Sequence, residues 1–210
     1  MGTKNNRQKK RKKMQQKDLV EELKNGIQDI WEETRNSIAS NIIRGHSRSI
    51  STDVEDMIAL FISKEFDNKV KIFIDPSITI RSKTYRPDLL VIRNDEVIAL
   101  LEIKANLGWC RDASIVIEEE LVTRQKVFSE AGQIECKFSI TKTSETVSYD
   151  DNVKMYLIAL TSENGGKLEA ENKAYAKKHG VNHYVLFNGW YNNLEPREID
   201  DFIKDLETIK

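Results

Sequence analysis

Two acids and one amine stand at a spacing suited to phosphodiester hydrolysis. Asp88 follows Pro87 in the only Pro-Asp step of the chain, and Glu102-Ile103-Lys104 comes fourteen residues later. On a strand, residues two apart share a face, so Glu102 and Lys104 project together while Ile103 faces away. Asp88 opens one apolar run, Asp88-Leu89-Leu90-Val91-Ile92, and Glu102 closes the next, Val97-Ile98-Ala99-Leu100-Leu101. A hairpin turning at Arg93-Asn94-Asp95-Glu96 brings both acids to the same end. Two carboxylates and the Ile103 carbonyl can then hold Mg²⁺ while leaving positions for water and a phosphate oxygen. An ion held there polarises the phosphate and lowers the pKa of water. Lys104 suits orientation and charge stabilisation rather than the work of a free-amine base.

An acid-x-Lys triplet carries no information by itself. Glu22-Leu23-Lys24, Asp67-Asn68-Lys69, Glu135-Cys136-Lys137 and Glu171-Asn172-Lys173 repeat it in the same chain. Glu102 differs in its setting, at the end of a run apolar on both faces, which belongs in the middle of a covered sheet. Charges there are costly unless they are paired or bind a metal. The alternative is a surface hairpin carrying a salt bridge between Lys104 and one carboxylate.

The surrounding elements must hold that hairpin. Leu19, Val20, Leu23, Ile27, Ile30 and Trp31 predict an amphipathic helix over 18–35, and Val54, Met57, Ile58, Phe61 and Ile62 a second over 51–66. Strands are expected at 70–74 and 78–80, separated by Pro76, before the hairpin. Ile117, Leu121 and Phe128 mark a helix, 155–160 a buried strand, 168–178 a helix stopped at Gly180, and 184–187 a last strand. Pro196 suits the start of a final helix carrying Ile199, Phe202, Ile203, Leu206 and Ile209. Residues 141–152, rich in Ser and Thr, read as a loop or ragged hairpin. This order implies a mixed α/β sheet with helices on both faces.

Arg86-Pro87-Asp88 with Glu102-Ile103-Lys104 resembles the signature of the PD-(D/E)xK nuclease superfamily, and the element order over about 51–160 is similar to that family's core. The resemblance implies a restriction-endonuclease-like fold, an αβββαβ core with a helical N-terminal extension. It implies Asp88 and Glu102 as metal ligands, Lys104 as the catalytic lysine, and one or two Mg²⁺. Glu55 matches the position of a further metal-binding glutamate on the helix before the first strand. The same residue also completes a capping box, Thr52-Asp53-Val54-Glu55. Gln125 lies where the family often places an auxiliary polar residue, or is an ordinary exposed helix position.

Composition narrows the partners. Residues 1–17 hold eight of the 33 Lys and Arg and none of the 34 Asp and Glu, leaving 25 bases against 34 acids in the rest. A basic, disordered arm on an acidic body fits nucleic-acid contact, and equally a solubilising leader. Arg44, Arg48, Arg81, Lys83 and Arg86 are candidates for the DNA backbone, as is His46 in a polar loop. Tyr85, Trp109, Trp190 and Tyr191 are candidates for base stacking or for packing. No apolar run is long enough to span a membrane, and two separated cysteines, Cys110 and Cys136, suit a reducing cytoplasm. No phosphate-binding glycine motif is present, so no nucleotide cofactor is expected.

The organisation expected is one nuclease domain over 18–210. Its parts are a helical extension at 18–50, the catalytic core at 51–160 and an α/β completion at 161–210. The function expected is a Type II restriction endonuclease, homodimeric on double-stranded DNA. The alternatives are a repair, junction-resolving or transposon-associated nuclease, or an inactive binding module of the same fold.

Overall fold

The computed structural model describes residues 2–35, 50–106, 113–161 and 169–209. Two helices lead, α1 (Gly2–Arg35) and α2 (Ser51–Glu65), followed by β1 (Lys71–Ile74), β2 (Ser77–Ile80), β3 (Lys83–Tyr85), β4 (Leu89–Arg93) and β5 (Glu96–Asn106). One continuous helical arm comes next: α3 (Ala113–Ile115), a π-helical stretch Val116–Val122 and α4 (Thr123–Ala131). The chain closes with β6 (Gln133–Phe138), β7 (Thr143–Ser148), β8 (Lys154–Thr161), α5 (Glu169–Lys178), β9 (Val181–Asn188), β10 (Glu195–Pro196) and α6 (Ile199–Glu207).

The main sheet runs β1-β4-β5-β8-β9-β10. Its first three strands pair antiparallel, β5, β8 and β9 pair parallel, and β10 returns antiparallel on the edge. β3, β2, β6 and β7 form an antiparallel extension that meets β5 where Glu96 pairs with Ser148. The β4–β5 hairpin closes through Asn94 and Asp95, both at positive φ (53° and 60°), the geometry of a two-residue type I′ turn.

Period-two alternation divides the core. Leu89, Leu101 and Ile103 pack against α1, α2 and α6, whereas Leu90, Leu100 and Leu157 face the π-helical stretch, α4 and α5. Leu100 and Leu101 are fully buried, each contributing ~1.5–3 kcal/mol of apolar transfer energy. That anchorage fixes the register of β5 and with it the direction of every side chain further along.

Three local expectations change. The basic segment 1–17, expected as a disordered arm, has helical backbone from Gly2 continuous with 18–35; Lys, Arg, Gln and Met are good helix formers and no Gly or Pro interrupts residues 3–25. Pro196 lies in β10 opposite Phe187, not at a helix start, and α6 begins three residues later. Proline lacks an amide donor and is at home on an edge strand. Residues 133–148, only partly read as a ragged hairpin, form the regular pair β6–β7.

One buried polar residue has a measurable consequence. His183 on β9 is 9% exposed, and neither ring nitrogen has a hydrogen-bond partner among the described residues. Burial, followed by the nearby Lys173 cation, lowers its pKa to about 4. A depressed histidine leaves stability intact above the unfolded pKa near 6.5 and removes it as pH falls from there through about 4. The gap is worth at most ~3 kcal/mol. His183→Leu is therefore expected to lessen the loss of stability between pH 7 and pH 4, measured by urea unfolding. An unchanged acid slope would show that His183 titrates normally.

Candidate active site

β4 and β5 build the site at the end of their hairpin. Leu89 pairs with Leu101, so the next step of the register sets Asp88 opposite Glu102, both on the face of the π-helical stretch and α4. The Asp88 Oδ2 accepts the Ile103 N–H at 2.6 Å, which caps the strand pair where β4 begins. Ile103 points its side chain into the core on the α2 side and leaves its backbone at the site.

Lys104 gathers the carboxylates. Its Nζ lies 3.1 Å from Glu120 Oε2, 3.2 Å from Glu102 Oε2 and 3.7 Å from Asp88 Oδ2. Glu102 is 1% exposed, and its other oxygen, Oε1, pairs with the Arg124 guanidinium. Burial, then the Asp88 charge and a hydrogen bond to Glu120, raise Glu102 well above the usual carboxylate range despite both cations. Burial alone would raise Glu120 too, but that hydrogen bond and the Lys104 and Arg124 cations hold it low. For Lys104, burial favours the free amine, but Asp88, Glu102 and Glu120 override it and keep the ammonium firmly protonated.

Glu55 belongs to this field. Burial, then Asp88 and Asp75, push it up to about 7, with Lys104 opposing. Its alternative as a capping-box partner is not realised: α2 begins at Ser51, which leaves Thr52 inside the helix rather than at its cap.

Hard oxygen donors facing one cation suit a divalent ion, and here the Lys104 ammonium stands among the oxygens of Asp88, Glu102 and Glu120. Burial, then the Asp88 charge, lifts both Glu102 and Glu55, so a further positive charge beside these acids would offset part of that rise. Among the described residues no three His, Cys, Asp or Glu side chains are already gathered to hold a metal. Lys104 and Arg124 occupy the Glu102 oxygens instead.

Other candidates lie around this centre. Arg81, at the β2–β3 turn, faces Glu130 at 3.5 Å; Lys83 sits over the Tyr85 ring; Arg86 lies 3.5 Å from Asp75; all three are exposed. Arg44, Arg48, His46 and Trp109 lie outside the described residues. Gln125 turns away, accepting from Tyr149 Oη at 2.6 Å and donating to the Asp150 and Asp151 carbonyls. Tyr191 is a packing anchor, stacked on Trp31 at 4.4 Å and donating its hydroxyl to Ala105, whereas Trp190 beside it is 46% exposed. Tyr85 meets Phe128 edge-on.

Glu120 and Arg124 are the residues that sequence reasoning missed. Their signal was an acid and a base four apart, flanking the Ile117–Leu121–Phe128 stripe. Arg124 stands seven residues after Ile117, three after Leu121 and four before Phe128, so helical spacing puts it on the face of that buried stripe. Gln125, one step round the helix, meets Tyr149 instead.

No protein-family model matches the chain, and no curated protein matches it. Among solved structures, NucC of P. aeruginosa ATCC27853 in its cAAA-bound form superposes with a TM-score of 0.51 at 10% identity, covering 91% of this chain and 90% of that one. The central mixed sheet flanked by helices is thus similar to the fold of NucC.

Proposed function

We propose that the chain is a Mg²⁺-dependent DNA endonuclease, most like a Type II restriction enzyme acting as a cytoplasmic homodimer on double-stranded DNA. The observation that carries this reading is the meeting of Asp88, Glu102 and Lys104 at the end of a buried strand pair. The likeness to the NucC nuclease fold and the PD-(D/E)xK spacing support it from independent directions.

Asp88, Glu102 and the Ile103 carbonyl would hold the ion, with Glu55 as a further acid. Mg²⁺, when bound, supplies Lewis-acid polarisation of the phosphate and an activated water. The protein does the rest. Lys104, kept as an ammonium by its three acids, orients the nucleophile and stabilises charge on the phosphate. Arg81, Lys83 and Arg86 are exposed on the strands leading to Asp88 and would contact the DNA backbone, which sets position rather than sequence. A two-fold dimer matches a palindromic site with one active centre for each strand.

The test is incubation of the purified protein with plasmid and Mg²⁺, followed by mapping of the ends. Discrete fragments with defined termini are the expected result. A smear, or cutting confined to branched or nicked DNA, would move the assignment to another nuclease of the same fold. Intact plasmid at every divalent ion tried would retire the reaction.

A further inference from the structure

A divalent ion arriving at Glu102 meets a cation at each oxygen, Lys104 at Oε2 and Arg124 at Oε1, and like-charge repulsion favours the departure of one of them. The two cations differ in what they keep on leaving. Lys104 retains Glu120 at 3.1 Å and Asp88 at 3.7 Å, whereas Glu102 is the only ion-pair partner of Arg124 among the described residues. Arg124 is also largely buried, its side chain 13% exposed, and a guanidinium stripped of its carboxylate there needs another anion. A phosphate matches its planar fork of donors in two-point fashion.

The placement makes the exchange short. Arg124 lies in the first turn of α4, two residues past the π-helical stretch that supplies Glu120, so both side chains reach one end of β5 from the same helical arm. π-helical turns are concentrated at functional sites.

Resting on the nuclease reading for the identity of the anion, we propose that Arg124 is an exchangeable counter-ion. It holds Glu102 in the metal-free protein, yields when a divalent cation takes that carboxylate, and then binds the substrate's phosphate. Arg124 thus competes with the metal and assists the nucleic acid. A merely structural arginine would help both.

The test uses the full chain. Mn²⁺ binding without DNA, measured by calorimetry, is expected to be about tenfold tighter in Arg124→Gln than in the wild type, because one competing charge is gone. Binding of a DNA duplex in Ca²⁺, which avoids dependence on cleavage, is expected to weaken about tenfold in the same variant. Mn²⁺ affinity that is unchanged or lower in Arg124→Gln overturns the proposal. Should that variant fail to fold, the arginine Nε–Hε resonances of the wild type give the answer during Mg²⁺ titration. The Arg124 signal, assigned through Arg124→Lys, should shift and lose its protection from solvent exchange; a stationary signal overturns the proposal. The metal arm needs no nucleic acid, so loss of the nuclease reading and loss of the counter-ion role are told apart.

Discussion

Lys104→Ala is expected to reduce Mg²⁺-dependent plasmid cleavage by ~10²–10⁴-fold, the usual cost of removing a positioned proton-transfer or charge-stabilising group. The reason lies in the geometry: one ammonium faces Asp88, Glu102 and Glu120 within 3.7 Å, and no other lysine stands in that cluster among the described residues. Because these acids keep the side chain protonated, its contribution is charge and orientation. Lys104→Arg should therefore retain part of the rate, whereas a free-amine base would be lost as completely in Arg as in Ala. Duplex binding in Ca²⁺ reports whether the alanine protein still engages its substrate. Wild-type turnover in Lys104→Ala would remove the residue from the reaction.

Glu102→Gln is expected to lose cleavage to a similar degree yet make the stability of the metal-free protein less dependent on pH. Burial and Asp88 raise the Glu102 pKa in the folded chain. For a raised acid, the favourable contribution is complete below the unfolded carboxylate value and is lost as pH rises towards the folded one. An amide cannot ionise, so the variant escapes that loss. Relative to the wild type it should therefore gain stability from pH 4 to pH 7, set against the cost of leaving the buried Arg124 guanidinium without its carboxylate. Urea unfolding in EDTA across this range measures the difference. Added Mg²⁺ should then stabilise the wild type and not the variant. A difference between the two proteins that does not change across this range would mean that Glu102 ionises alike in the folded and unfolded chain.

Both experiments concern a site that departs from the rule governing the rest of β5. Leu100 and Leu101 are fully buried and apolar, and one step on the strand carries a carboxyl that is 1% exposed. A charge in that position works against stability. Departures of this kind are expected at functional or strained sites, which supports the function proposed for this one.

Period and local chemistry, both legible in the order of the amino acids, account for the hairpin and the acids at its end. Alternation along Val97–Lys104 put Glu102 and Lys104 on one face and Ile103 on the other, and the Arg93–Glu96 turn brought Asp88 to the same end. The apolar stripes placed α2 and α6, and the double-faced apolar run placed β5 inside the sheet. Packing in three dimensions set which partners those residues meet. The fate of Glu55 depends on α2 starting at Ser51, which dissolves the capping box and leaves the side chain near Asp88. Arg124 shares the helix face of Ile117, Leu121 and Phe128, but that its guanidinium meets Glu102 depends on how the helical arm lies across β5. Spacing along a chain records which way a side chain faces within its own element. The partner across the gap is set by how two elements are rotated against each other, and that rotation is a property of the packed core.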